Sequence, residues 1–402
     1  MPKRKNKSKV YFVDLPEKDT NVYISVLFSY GYYNEPQNKF GTGHLLEHYL
    51  GFRIDDKIGR PIQSASISNR SMQFDIKSTK GKFLNELRDA LTTLKDDPID
   101  NSDFLKREKA RIKIEIDEMY AQNERFLEQQ ALASLYSGPD IVTRNKAIQS
   151  KIVQSIKIEN LRALRDELFR HNIIGVVIGA HKLPKSKRLV AEQLIGNFIK
   201  TTGAIVESPK PVTKIAKITK KVVAHHGVEP DYIHIAMMWP GLSLKNHSAE
   251  RFAMRFICSQ LLERLEKPLG DIGIYKYDYQ YVIANSFGYV RFHAYIPKDA
   301  SAQFEKIVYQ QLKELSSDKK NLAPKLKKFV SIRTKKLKEM WDDNLGRMDW
   351  VIDDLIDYGK IISYKEVIEQ RKKINLPLVS RLLGRIFQKK YQHSLVVKSS
   401  RG

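Results

Sequence analysis

Cysteine is almost absent: Cys258 is the only one in 402 residues. A disulfide framework and a cysteine-rich zinc or iron–sulfur cluster are thereby excluded, so any bound metal has to be held by histidines and carboxylates. Long apolar runs are missing too, with nothing near the roughly 18 residues that cross a bilayer. The basic start (Lys3, Arg4, Lys5, Lys7, Lys9) leads into Tyr11-Phe12-Val13-Asp14-Leu15-Pro16 and not into the apolar stretch of a signal peptide. A cytoplasmic chain with no membrane span is expected. Acidic residues are in deficit, 46 against 70 basic ones, for a net charge of +24. That balance favours anionic partners. A phosphate-cradling glycine loop, a zinc finger and an aromatic RNA-binding pattern are all lacking, however, so no specific nucleic acid is expected. The basic runs at 319–320, 325–328 and 333–338 read as solvated helix faces.

What is present suggests a large core and two domains, given the length and 42% apolar content. Residues 22–30 are β-branched and aromatic up to Gly31, which predicts a buried strand. Breakers follow over 36–43, and His44-Leu45-Leu46-Glu47-His48-Tyr49-Leu50 then predicts a short helix ending at Gly51. Extended segments are predicted at 63–68 and 71–77, and a helix at 82–94 stopped by Pro98. Ser102 or Asp103 is expected to cap a long helix that runs to about Tyr136. A helix and a central strand are predicted across 159–180, and a closing helix near Lys200. The Pro-, Lys- and Thr-rich stretch that follows predicts a linker at 206–220, between an N-terminal domain at 1–205 and a C-terminal domain at 221–402. Strand, helix, strand pair and helices then recur, with strands near 232–239 and 277–296 and a helix at 248–265. The fold class expected is α+β, as two tandem domains.

The chemistry concentrates in His44-x-x-Glu47-His48. Positions i and i+4 of a helix share a face, so both imidazoles can address one ion while Glu47 stays close to it. A catalytic zinc takes three protein ligands and keeps a fourth position open, so another His or carboxylate is needed. On the helix expected after Pro98, Glu108 and Glu115 are seven apart and share a face. Glu115 is assigned as third ligand and Glu108 as the partner that supports the ligands; Glu118 and Glu124 are the competing candidates. Glu47 is the candidate general base. Cys258, inside an apolar helical stretch, reads as an inert core thiol.

The inverted order of this motif is the mark of the inverzincins, and the sequence here resembles the pitrilysin and insulinase family of zinc metallopeptidases, in its half-length, processing-peptidase-like form. The stretch 26–50 is similar to the family's strand, Glu-Pro turn, Gly-x-x-His lead-in and metal helix, and 107–115 to its R-E-x6-E helix. Segments 144–180 and 284–296 resemble the end of the first family domain and a strand pair of the second. The resemblance implies two homologous α+β domains, each a mainly antiparallel sheet packed with helices, facing one another across a cleft. It implies one Zn2+ per chain on His44, His48 and Glu115, and peptide substrates, acidic ones favoured by the charge. Three differences stand out. His48 and Glu115 are 67 residues apart, closer than is usual in the family, so 51–59 reads as trimmed. Gln63-Ser64-Ala65-Ser66 occupies the place of an Asn-Ala-x-Thr strand and is the candidate substrate edge. In the second domain, Tyr275 and, with a shift, Arg264 stand nearest to the family's substrate contacts, with Pro268 where an arginine belongs.

Two functional readings follow. The first is a zinc-dependent endopeptidase. The second is a non-catalytic or partner-dependent subunit, because relatives of this length pair, as homodimers or with a related subunit.

Overall fold

The structure is a computed structural model, and it describes residues 9–16, 20–32, 34–68, 70–121, 126–127, 130–131, 134–137, 146–200, 214–215, 220–242, 248–274, 276–283 and 288–401. Contacts divide the chain into two compact units: Met1–Asp117 with Asn145–Lys210 and Lys338–Ile362, and Glu118–Arg144 with Pro211–Leu337 and Ser363–Gly402. Neither unit is continuous in sequence. The predicted linker at 206–220 lies almost entirely outside the described residues.

Each unit is built on a five-stranded mixed sheet. The first takes β1 (Val10–Asp14), β2 (Asn21–Phe28), β3 (Ser64–Ile67), β4 (Met72–Thr79) and β6 (Ile173–Ala180) in the order β1-β6-β2-β4-β3. The short β5 (Tyr136–Ser137) and β7 (Lys214–Ile215) pair with each other. The second sheet takes β8 (Lys220–His225), β9 (Tyr232–Pro240), β10 (Lys276–Ile283), β11 (Gly288–Pro297) and β12 (His393–Ser399) in the order β10-β11-β9-β12-β8. The two orders are one topology. In each, the first strand in sequence runs parallel to the last, the last is antiparallel to the second, the second to the fourth, and the fourth to the third at the far edge. Both sheets are thus mainly antiparallel, and the repeated order of elements read from the sequence is a repeated strand topology.

Helices cover the sheets: α1 (Thr42–Ile58), α2 (Phe83–Asp96), α3 (Ser102–Ala121), α4 (Lys146–Ser155), α5 (Ile158–Glu167) and α6 (Lys185–Lys200) in the first half of the chain. The second half has α7 (Ser248–Gly270), α8 (Ser301–Ser317), α9 (Lys319–Asp342), α10 (Asn344–Tyr358), α11 (Tyr364–Lys372) and α12 (Leu376–Ile386). The second core forms where Ile233, Ile235, Met237 and Trp239 alternate along β9 and Val290, Phe292, Ala294 and Ile296 along β11, all facing α7 and α8. This period of two is that of a strand with one face on the core. One face of the first sheet is covered by α10, whose Met348, Val351, Ile352 and Leu355 pack on Val13, Leu15, Tyr23, Leu27 and Val177. A helix from late in the chain thereby completes the first unit.

Two local expectations are corrected. Helix α1 does not end at Gly51 but continues to Ile58, and Gly59 closes it with φ 76° and an N–H donated to the Asp55 carbonyl. A glycine inside a helix costs about 1 kcal/mol, whereas burying one residue such as Ile54 returns about 1.5–3 kcal/mol, and Ile54 is fully buried. The absence of a side chain is also used: a Cβ at Gly51 would already lie 3.1 Å from the Ala65 Cβ on β3. The segment 51–59 is therefore the last two turns of α1. The second correction concerns α3, which is capped by Asn101, whose Oδ1 accepts from the Phe104 N–H at 2.8 Å, and not by Ser102 or Asp103.

Candidate metal centre

The site is set by how α1 begins. Gly41 takes φ 88°, a left-handed conformation suited to glycine. Its N–H and that of Gly43 both donate to the carboxylate of Glu35, at 2.9 and 2.6 Å. Glu35 is 1% exposed, so a buried negative charge sits on the free N–H groups at the positive end of the helix. Gly43 leaves no room for a side chain, because a Cβ there would lie 2.7 Å from Ile67 Cδ1 and 2.9 Å from Glu35 Oε1. The next residue is His44.

From that start, Leu45, Leu46, Tyr49 and Leu50 turn into the core, while His44 and His48 come out half-buried on the other side with Glu47 buried between them. The two rings meet edge to face with centroids 4.6 Å apart, and Tyr32 stands edge-on to His44. Glu47 Oε2 is 3.9 Å from His44 Nε2 and 3.7 Å from His48 Nε2. Among the described residues, His44, Glu47 and His48 are the one group of three such side chains whose ligand atoms all lie within 4.8 Å of one another.

Helix α3 brings the other two carboxylates. Glu108 Oε2 lies 2.6 Å from His48 Nδ1. With Nδ1 as donor, the Nε2 lone pair is left free for an ion, the arrangement that orients metal-binding histidines. Glu115 Oε2 is 3.4 Å from His44 Nε2, and its Oε1 is 3.4 Å from Arg111 Nε one helical turn away. Two imidazole nitrogens and a carboxylate, with another carboxylate beside them, make a donor set of the kind that catalytic zinc uses.

The electrostatics agree with such use. Burial, with the charges of His48 and Arg111 next, pulls His44 down to about 3, so its ring is neutral and its nitrogen open at neutral pH. Burial pushes Glu47 up to about 7; His48 opposes the shift and Glu115 adds to it. A carboxyl that titrates near neutrality suits both taking and giving a proton.

The remaining expected positions lie elsewhere. Ser64, Ala65 and Ser66 are on β3, the edge strand that pairs with β4 alone, and Gln63 precedes it with its N–H bonded to the Asp75 carbonyl at 2.9 Å. Gln63, Ser64 and Ser66 are exposed. Arg264 belongs to the second unit, where its guanidinium pairs with Asp318. Tyr275 lies outside the described residues, as does Glu124, and Glu118 is exposed on α3. Sequence reasoning passed over Glu35 and Arg111. The signal for Glu35 was an acid a few residues before a Gly-x-Gly helix start; for Arg111 it was its i, i+4 spacing to Glu115.

No protein-family model and no curated protein matches the sequence. Solved structures do match in fold. The chain is similar to a protease from Helicobacter pylori, with a TM-score of 0.78 at 15% identity over 97% of this chain and 96% of that one. It is similar to an M16-like peptidase from Alicyclobacillus acidocaldarius, with a TM-score of 0.72 at 14% identity over 97% and 96% of the two chains. It also matches the periplasmic protease PqqL from Escherichia coli, with a TM-score of 0.75 at 10% identity, over 96% of this chain and 44% of that one.

Proposed function

We propose that the first unit is a zinc-dependent endopeptidase site, with one zinc ion held by His44, His48 and Glu115 and with Glu47 as general base. The observation that carries this reading is the convergence of the His44 and His48 Nε2 atoms of α1 with the carboxylates of Glu47, on the same helix, and Glu115, on α3. A fold shared with proteases supports it. When bound, zinc polarises the scissile carbonyl and acidifies the attacking water. Glu47 would accept a proton from the attacking water and pass it to the leaving amine. Glu108 holds the His48 ring in the tautomer that leaves Nε2 free. Arg111 holds one oxygen of Glu115, so that the other stays turned toward His44. An extended peptide would add to the free edge of β3 as a further strand, beside Gln63, Ser64, Ala65 and Ser66.

A second reading, a subunit that turns over peptide only with a partner chain, draws on Arg264. Its guanidinium is committed to Asp318, and in that reading peptide contacts of the second unit come from another chain. One experiment separates the two: zinc content by elemental analysis and cleavage of a quenched fluorescent peptide library, for wild type and Glu47→Gln. About one zinc per chain in both proteins, with turnover lower by about 10²–10⁴-fold in Glu47→Gln, is the expected outcome. Zinc without turnover in wild type favours the partner-dependent reading, and a protein that takes up no zinc overturns both.

A further inference from the structure

Among the described residues, the second unit brings together three arginines, none of them ion-paired to a carboxylate. Arg255 comes from α7, Arg333 from α9 and Arg371 from the last turn of α11. Arg371 is 6% exposed, and it donates from Nη1 to the Arg333 carbonyl. Its Cζ lies 4.4 Å from the centroid of the Phe252 ring, and Arg255 Cζ lies 5.9 Å from that same centroid. Arg333 stands over Phe329 at 5.4 Å. The Arg371 Nε is buried with no hydrogen-bond partner.

Nearby acids are engaged elsewhere. Glu250 pairs with Arg381 at 3.4 Å, Glu369 pairs with Lys372 at 2.7 Å, and Glu366 bonds to Ser363 in the capping box of α11. The cations are therefore left to repel one another. Burial, then the charges of Arg255 and Arg333 against an opposing contribution from Tyr364, lower the pKa of Arg371. Burial and the charges of Arg251 and Arg333 lower that of Arg255. Ring stacking attracts each guanidinium singly but neutralises none of them.

We propose that Arg255, Arg333 and Arg371 form a binding site for a phosphate group. Guanidinium forks match phosphate oxygens in paired hydrogen bonds, and the buried Arg371 Nε supplies a donor that lacks an acceptor. Phosphate suits a cluster of three arginines better than a carboxylate does, since it brings about −1.5 to −2 charges and three strong acceptor oxygens. The site is independent of the metal centre and of the reading given to it.

The test is isothermal titration calorimetry of the full chain with sodium phosphate at about 0.15 M NaCl, where non-specific surface binding is screened. Saturable one-site binding is expected, weakened about tenfold or more in Arg255→Gln and in Arg333→Gln. Arg255 and Arg333 both reach solvent and neither belongs to the hydrophobic core cluster, so both variants keep the core intact. Lys327→Gln, an exposed change on the same helix as Arg333, is expected to leave the affinity unchanged. Phosphoserine binding as well as phosphate would assign the site to a phosphoryl group carried on a larger molecule, and weaker phosphoserine binding would assign it to the free ion. No saturation into tens of millimolar phosphate, or equal losses in Lys327→Gln and the arginine variants, overturns the proposal.

Discussion

Replacing Glu35 with alanine removes the one buried carboxylate that holds the start of α1. Both its oxygens accept from backbone N–H groups, those of Gly41 and Gly43, and hydrogen bonds to a charged group contribute about 1.5–3 kcal/mol each. Two such bonds, lost together at a site 1% exposed, amount to about 3–6 kcal/mol, and the lower end allows for water entering the space. The first turn of α1 should then open more readily. At about 1.4 kcal/mol per factor of ten, the smaller figure corresponds to about a hundredfold faster hydrogen exchange of the α1 amides near Leu45 and Leu46 in the metal-free protein. Glu35→Gln keeps one acceptor oxygen and should lose about half as much. Because His44 follows Gly43 directly, zinc affinity measured by chelator competition should fall with the same ranking, Ala below Gln below wild type. Exchange faster by less than about threefold in Glu35→Ala, or an equal effect of Gln and Ala, would refute the view that this carboxylate sets the helix start.

Other outcomes follow from the same geometry. Glu108→Ala removes the partner of His48 Nδ1 and should lower zinc affinity by about 10–100-fold, read by chelator competition, while the far-ultraviolet circular dichroism stays as in wild type. Asp354 is buried and accepts from Trp350 Nε1 at 2.9 Å and from the Ile362 N–H at 2.6 Å, and burial raises its pKa from 3.8 to about 6 despite those bonds. A folded-state pKa raised above the unfolded one adds stability below the unfolded value and loses it as pH climbs through the folded value. The stability of wild type relative to Asp354→Asn should therefore decline between about pH 4 and pH 6 and level off above; urea titrations showing a flat difference across that range would contradict the assignment.

The cluster of His44, Glu47 and His48 was legible because its information is local. A four-residue spacing on one helix and a seven-residue spacing on another place His44, His48, Glu108 and Glu115 on faces without any knowledge of the fold. That the two faces meet could come only through the family resemblance. What stayed hidden is of the other kind. Strand β1 is five residues long and gains its place by parallel pairing with β6, more than 150 residues later. Strands β8 and β12 depend likewise on a partner far along the chain. The continuation of α1 past Gly51 was concealed because local propensity marks a stop, whereas burial of Ile54 and contact with Ala65 decide the matter. Arg264, picked for a substrate role, is instead tied to Asp318 on a residue 54 positions away, a pairing no spacing rule foretells.

The exchange of segments between the two units changes what the chain can tolerate. Lys338–Ile362 belongs by contact to the first unit and Glu118–Arg144 to the second. In the second, Phe126 stacks on His225 at 4.4 Å and Gln130 accepts from Lys221 at 3.0 Å. Severing the backbone between residues 201 and 213 would accordingly not release two self-sufficient halves. The leading fragment would bare Val13, Leu15, Tyr23, Leu27 and Val177, the greasy bed of α10, and the trailing one would forfeit the contacts of Phe126 and Gln130 with β8. Only fragments made together could each lend the other its missing piece. With one strand topology repeated and one segment traded each way, the chain has the anatomy of a segment-swapped pair whose two copies have been joined end to end.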